Sequence, residues 1–208
     1  MFTGIITALG RIQSTQPLPG QGAGLRVSVS TPPGWLDGAA LGDSICVSGA
    51  CMTVVQKGDE HFVFDISAES LRRTSGLDHP GALVNLEQSL TLATRLGGHL
   101  VTGHVDAVGE VHAFEPVGES YLLVVAAPAN LARFFAYKGS VTLQGVSLTV
   151  NRVDDAPDGS ARLHINLIPH TLQHTNLHTL QRGSRVNLEV DVIARYVQRM
   201  LAAPQAQD

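Results

Sequence analysis

The stretch Ser48-Gly49-Ala50-Cys51-Met52-Thr53-Val54 has a counterpart at Gln144-Gly145-Val146-Ser147-Leu148-Thr149-Val150, 96 residues further on. Both run polar, Gly, small, Cys or Ser, apolar, Thr, Val. One such match could be chance, so its surroundings decide. Thr3–Gly10 matches Thr102–Gly109 at an offset of 99, Ala68–Thr74 matches Pro169–Thr175 at 101, and Val84–Glu87 matches Val186–Glu189 at 102. Four blocks in one order, drifting only through small insertions, mean a duplicated unit of roughly a hundred residues.

The strand signals repeat with the blocks. Leu25–Ser30 alternates strictly, and Ser44–Ser48, Met52–Val55, His61–Ile66 and Leu83–Glu87 are short β-rich runs between Gly and Pro breaks such as 16–24 and 32–34. Thr3–Ser14 reads as a further strand. In the second half Val105–Val111, Tyr121–Val125, Val141–Leu143, Leu148–Val150, Leu163–Leu167 and Val186–Val190 do the same. Two short helices are expected, one over Ser67–Arg73 with Ser67 as N-cap and one over Asn130–Tyr137. About six short strands per half favour an all-β fold of two closed antiparallel barrels, because closure removes exposed edges.

The last segment lies outside the repeat. Val192, Ile193, Tyr196, Val197, Met200 and Leu201 form a helical stripe, with Arg195, Gln198 and Arg199 opposite and Pro204 barring continuation. This C-terminal helix either packs on its own barrel or joins subunits.

Composition narrows the function. The net charge of −4 offers no electrostatic reason to expect nucleic acid or an anionic membrane surface. No run of eighteen apolar residues exists, which argues against a spanning helix. The start Met1-Phe2-Thr3-Gly4 carries no basic region, so a signal peptide is not expected. The two cysteines, Cys46 and Cys51, sit on one local segment, which fits a reducing cytoplasm better than a disulfide framework.

Blocks of Gly, Thr, Ser, Cys and His at strand ends suggest a site offering backbone amides and hydroxyls to a planar polar ligand. Cys51 is a nucleophile candidate with no partner near it in sequence. Its counterpart is Ser147, which suggests lining a site instead. His99 and His104 are five apart, which in a strand sends them to opposite faces and speaks against a shared metal. His104 stands where the first copy has Ile5, so a titratable group marks a difference between the copies. His170, His174 and His178 are spaced by four, but their counterparts Glu69 and Arg73 point to solvated surface. Asp191 suits the start of the last helix.

Met1–Ile6, Ser48–Val54, Gly97–Asp106, Gly145–Asn151, Ile168–Leu172 and Val186–Tyr196 together resemble the riboflavin synthase family of alpha-chain type, the lumazine-binding repeat family. The resemblance covers essentially the whole chain. It implies two six-stranded Greek-key barrels at 1–97 and 98–190, and a trimerisation helix and tail at 191–208. It implies that two molecules of 6,7-dimethyl-8-ribityllumazine exchange a four-carbon unit to give riboflavin and 5-amino-6-ribitylamino-uracil, with no metal or organic cofactor. It also implies a cytoplasmic homotrimer whose site lies between neighbouring subunits, with lumazine synthase as a candidate partner.

Ligand contacts follow block by block from the resemblance. The N-terminal set is Gly4, Ile5 and Ile6, then Cys51, Met52 and Thr53, then Asp65, Ile66, Ser67, Ala68, Glu69 and Ser70. The C-terminal set is Gly103, His104 and Val105, then Lys138, then Ser147, Leu148 and Thr149, then Asn166, Leu167, Ile168, Pro169, His170 and Thr171. The catalytic roles expected are His104 as proton acceptor, Ser147 and Thr149 as hydroxyls that polarise or add, Cys51 as the opposing wall, and Asp191 as an orienting carboxylate. Ser48, Ala50 and Ser70 depart modestly from the family pattern. A non-enzymatic lumazine- or flavin-binding antenna protein is the alternative; the retention of both sets of blocks favours the enzyme. A reductase-type flavin barrel would need a Gly-rich nucleotide-binding turn, and no GxGxxG is present.

Overall fold

A computed structural model describes residues 1–20, 22 and 24–202; Pro204 and part of the first Gly/Pro loop lie outside the described residues. The chain forms two closed six-stranded barrels in succession. The first is built from β1 (Ala8–Pro17), β2 (Leu25–Ser30), β3 (Ser44–Val47), β4 (Ala50–Lys57), β5 (His61–Ile66) and β6 (Leu83–Gln88), with α1 (Ala68–Arg73) between the last two. The second is built from β7 (Ala107–Val117), β8 (Ser120–Ala127), β9 (Ser140–Leu143), β10 (Val146–Asp155), β11 (Ala161–Leu167) and β12 (Arg185–Val190). It carries α2 (Ala129–Ala132) and α3 (Pro169–His174), the latter followed by a 3-10 turn, Asn176–Thr179. A final helix, α4 (Val192–Ala202), completes the described chain.

Both barrels run in the same ring order, β1-β2-β5-β4-β3-β6 and β7-β8-β11-β10-β9-β12. In each, three consecutive hairpin strands are joined by an earlier strand, the Greek-key arrangement. All pairings are antiparallel, and β6–β1 and β12–β7 close the rings. The bulges repeat too: Ile12/Ser14 on β1 answers Val111/Ala113 on β7, and Val54/Gln56 on β4 answers Val150/Arg152 on β10. A bulge bends and twists a strand, which is what a small closed barrel needs at its corners.

Each barrel has its own apolar interior. Val27, Val29, Ile45, Phe62, Phe64 and Leu86 fill the first; Leu123, Val141, Leu143, Leu163, Ile165 and Leu188 fill the second. Each such side chain contributes about 1.5–3 kcal/mol when fully buried. Ser67 caps α1 by accepting the N–H of Ser70, as the sequence suggests. The helix expected over Asn130–Tyr137 is a single turn, Ala129–Ala132, continued by i→i+3 bonds from Phe134 and Phe135.

The repeated stretch that defines the duplication is a hairpin turn in each barrel, and the two turns meet. Val47 pairs with Ala50 around Ser48-Gly49, and Leu143 with Val146 around Gln144-Gly145. Both central residues of each turn have positive φ (44° and 91°; 51° and 81°), as the tight hairpin turn matching strand twist requires. A Cβ on Gly49 would lie 3.0 Å from the Gly145 nitrogen, and one on Gly145 2.8 Å from the Gly49 nitrogen, so only glycine permits this approach.

Buried amides lock the seam. The Asn85 side chain donates to the Gln144 carbonyl, and that of Asn187 to the Ser48 carbonyl. Asn85 Oδ1 accepts the Asn176 N–H, while Asn187 Oδ1 accepts that of Ser75. These bonds satisfy groups that would otherwise cost about 1–3 kcal/mol each if left buried and unpaired.

The two lead segments before the barrels correct the sequence reading. The first strand begins at Ala8 and not Thr3, and the seventh at Ala107 and not Val105. Phe2 and Val101 pair in an isolated antiparallel bridge near the same boundary. From there each lead crosses to the opposite barrel.

Candidate active site

The crossing is set by one buried carboxylate per copy. Glu87 Oε1 accepts the Thr3 N–H and hydroxyl, both at 2.6 Å, and Oε2 accepts the Gly4 N–H at 2.9 Å. Glu189 Oε1 accepts the Thr102 N–H and hydroxyl at 2.7 Å, and Oε2 the Gly103 N–H at 3.0 Å. Burial pushes both carboxyls above their ordinary range, and the donated hydrogen bonds oppose it. Held this way, Gly4 offers its carbonyl to the Ser147 N–H at 2.8 Å, and Gly103 offers its carbonyl to the Cys51 N–H at 2.8 Å. Both glycines have positive φ, and a Cβ on either would collide with the residue it contacts.

The grouping expected from the sequence is therefore exchanged. Gly4, Ile5 and Ile6 accompany Ser147 on the second barrel. Gly103, His104 and Val105 accompany Cys51 and Met52 on the first. The amides of Cys51 and Ser147 are consumed by these contacts and are not offered to a ligand. What remains toward the open side is mainly side chains.

The Cys51 side is a cleft of about 210 Å³ between the β4 hairpin, α1 and the second lead. Half-buried Cys51 forms its floor, with exposed His104 on one wall and Glu69, Ser70 and Arg73 of α1 on the other. Arg73 pairs with Glu69 at 3.3 Å. Thr53 is exposed next along β4, while Met52 is 6% exposed and part of the barrel core even as it edges the cleft. A second hollow joins His104 and Arg73 to Val192, Arg195 and Tyr196 of α4, and the Asp106 carboxylate anchors that helix through Arg195.

The Ser147 side differs chemically. His99, 8% exposed, sits between two hydroxyls: its Nδ1 is 2.7 Å from Ser147 Oγ and its Nε2 3.1 Å from Thr142 Oγ1. Burial pushes this imidazole below its ordinary value, with the charge of Asp191 pulling the other way. A neutral ring has one donor and one acceptor nitrogen, so it suits a relay between two hydroxyls. Half-buried Leu148 packs against the core of the second barrel, and Thr149 is exposed two residues beyond Ser147. Asp191 also accepts the Ile193 N–H at 2.9 Å at the start of α4.

Several expected contacts fall elsewhere. Ile66 and Leu167 are 1% and 0% exposed inside the barrels, so their side chains cannot touch a ligand. Asp65 is engaged by Arg26 at 2.8 Å across β2 and β5. Asn166 accepts the Ser120 hydroxyl, Ser67 is occupied as a cap, and Ala68 is half-buried in α1. Ile168, Pro169 and His170 are exposed at the start of α3, and Thr171 is half-buried. The His170 and His174 rings stack at 4.1 Å. Exposed Lys138 reaches Asn151 Oδ1 at 3.2 Å, two residues past Thr149.

His99 was missed because the sequence reading placed it with His104 in one strand; apart from the bridge at Val101, 99–106 is not strand, so that parity does not apply. The carboxylates Glu87 and Glu189 were missed as well. Their signal was present: Asn and Glu recur inside an otherwise apolar strand in both copies.

Comparison with known proteins agrees with this duplicated architecture. The lumazine binding domain model matches residues 3–89 and again 102–191. A riboflavin synthase of Photobacterium phosphoreum is 39% identical over 209 residues, covering 100% of this chain and 92% of that protein. One from Mycobacterium bovis is 41% identical over 203 residues, covering 97% and 98%. The crystal structure of LumP complexed with 6,7-dimethyl-8-(1'-D-ribityl) lumazine superposes with a TM-score of 0.78 at 25% identity, covering 91% of this chain and 99% of that one.

Proposed function

The chain belongs to the lumazine binding domain family, carrying its domain twice, and on that premise we propose that it acts as a riboflavin synthase in the following way. Two molecules of 6,7-dimethyl-8-ribityllumazine are consumed, one giving up a four-carbon unit to the other. The products are riboflavin and 5-amino-6-ribitylamino-uracil. Two substrates of one kind call for two related half-sites, and the units 1–97 and 98–190 supply them, each lending its first residues to the other.

The observation that carries this reading is the matched but chemically unequal pair, Cys51 with His104 on one side and Ser147 with His99 on the other. A proton lost from the 7-methyl group of one lumazine is delocalised over its rings, so a weak base such as exposed His104 is adequate. On the other side, His99 held neutral by burial can accept the Ser147 proton as that hydroxyl adds to the second lumazine. Asp191 favours the imidazolium once formed, and Thr149 and Lys138 supply polar contacts to the ring or ribityl chain. The larger share of the acceleration comes from holding two rings in register.

The cleft of about 210 Å³ and the adjoining hollow of about 540 Å³, which share Arg73, His104 and Val105, are both open to solvent and do not enclose a ligand as a closed site would. The single chain thus presents open halves, which supports completion by a neighbouring subunit. Ile193, Tyr196, Met200 and Leu201 of α4 are 59–81% exposed, a largely uncovered apolar face among the described residues. We assign this helix, within the helix-and-tail unit 191–208, to assembly of a homotrimer in the cytoplasm, with lumazine synthase as the candidate partner. Among the described residues no helix is long and apolar enough to cross a membrane.

The test is direct. Purified protein mixed with the lumazine should develop riboflavin absorbance. Tight fluorescent binding without product would replace the enzyme reading with that of a lumazine- or flavin-binding antenna.

A further inference from the structure

Cys46 and Cys51 are directly opposed on β3 and β4. They form the second pair out from the turn, beyond Val47 and Ala50. The Cys51 N–H goes to the Gly103 carbonyl, so this is a non-hydrogen-bonded pair. In such pairs the Cα atoms approach to about 4.5 Å and the side chains share one face. That lies within the roughly 4.4–6.8 Å span a disulfide bridges. Both thiols are free. Cys46 is 1% exposed beneath Phe2 and Val101, and Cys51 packs against that cluster from the cleft side.

The second copy puts the same pair to a different use. Thr142 and Ser147 occupy the equivalent register, and His99 couples their hydroxyls. The first copy has two opposed thiols there instead. We infer that Cys46 and Cys51 are an oxidative modification site, closing to an intrachain disulfide with a low-molecular-weight disulfide as oxidant and weakening lumazine binding at the Cys51 cleft. The second half of this statement rests on the functional reading above.

The chemistry balances in two exchanges. The Cys51 thiolate attacks one sulfur of the oxidant, forming a mixed disulfide and expelling one thiolate. Cys46 then loses its proton and attacks the Cys51 sulfur, breaking the bond to the adduct and expelling the second thiolate. Two protein thiols lose two electrons, one small disulfide becomes two small thiols, and each protein proton ends on a released thiol. Cys51 reacts first because it is the one reachable from the cleft. Burial, with Glu87 nearby, holds the Cys46 thiol up, so the mixed disulfide forms faster than it resolves. Closure draws the Cys51 sulfur under Phe2 and away from the space facing His104.

The experiment uses the full-length protein and oxidised glutathione. After incubation, free thiols are blocked with iodoacetamide under denaturing conditions, and the tryptic peptide spanning both cysteines is weighed. The expected product is unalkylated and lighter by two hydrogen atoms. The same sample should bind lumazine at least tenfold more weakly at one of two sites, and dithiothreitol should restore binding. Cys46→Ala should leave basal turnover unchanged and stop at a stable glutathione adduct on Cys51. A peptide in which, once the reaction has run to its end, Cys46 stays alkylated while Cys51 carries glutathione would overturn the proposal, as would a formed bond with unchanged binding. If the reduced protein makes no riboflavin, the functional reading fails instead, and the peptide mass still decides whether the bond forms.

Discussion

The carbonyl of Gly4 accepts the backbone N–H of Ser147 at 2.8 Å, which lays the first residues of one repeat on the barrel of the other. A Cβ at Gly4 would stand 2.6 Å from the Ser147 Cβ and 2.7 Å from its nitrogen, at a φ of +75°. Gly4→Ala should therefore cost about 1–3 kcal/mol of stability and displace the lead from Ser147. Gly118→Ala is the control, since it has positive φ with nothing within 4 Å. Thermal unfolding and lumazine titration should show the control losing only the backbone cost, with both binding sites kept.

Glu87 and Glu189 each hold one lead, so their effects should separate by site. Glu189→Gln sets an amide donor against the Gly103 N–H, at a cost of about 1–3 kcal/mol. It should weaken lumazine binding on the Cys51 side first, and Glu87→Gln on the Ser147 side. Titration with resolved stoichiometry checks this; equal losses at both sites from either variant would refute it. The pH dependence has a defined sign. Each folded carboxyl is raised above its unfolded value of 4.5. Its contribution to stability is complete below that value and declines as pH rises through the folded one. The Gln variants should lack that decline.

His99 and His104 should differ in kind. His99→Ala should lower turnover about a hundredfold or more while leaving affinity on the Cys51 side intact, because it removes a proton acceptor bonded to Ser147. His99 titrates below the ordinary 6.5. Its neutral folded form contributes stability that is complete above 6.5 and lost as pH falls through the lowered value. Turnover that depends on the neutral ring should fall over the same acid range. His104→Ala should lower turnover, and unchanged turnover would remove His104 as the base.

The apolar face of α4 should set assembly. Ile193→Glu together with Met200→Glu adds charge to side chains 59% and 76% exposed in the single chain. Sedimentation should shift toward smaller species. Riboflavin formation should fall with it, while the far-UV signature of the barrels stays unchanged.

The duplication, the strand count and the C-terminal helix were legible because each rests on local pattern. Turn glycines, period-two alternation in Leu25–Ser30 and the stripe from Val192 to Leu201 specify their own neighbourhoods. The positions rich in Gly, Ser, Cys and His were legible too, since such blocks are poor core. Their partners were not. Ser48-Gly49 proved to be part of the seam between barrels, Ile66 and Leu167 proved to be core, and His99 proved to be bonded to Ser147.

By itself the sequence determined that there are two similar barrels and that their matched blocks differ at Cys51 against Ser147 and Ile5 against His104. Only the tertiary structure decided that each lead crosses to the other barrel, so that His104 faces Cys51 and Ile5 accompanies Ser147. The reason is physical. The choice depends on two buried carboxylates, two glycine carbonyls and a seam of asparagines acting across more than fifty residues of chain, and no local periodicity records hydrogen bonds of that span.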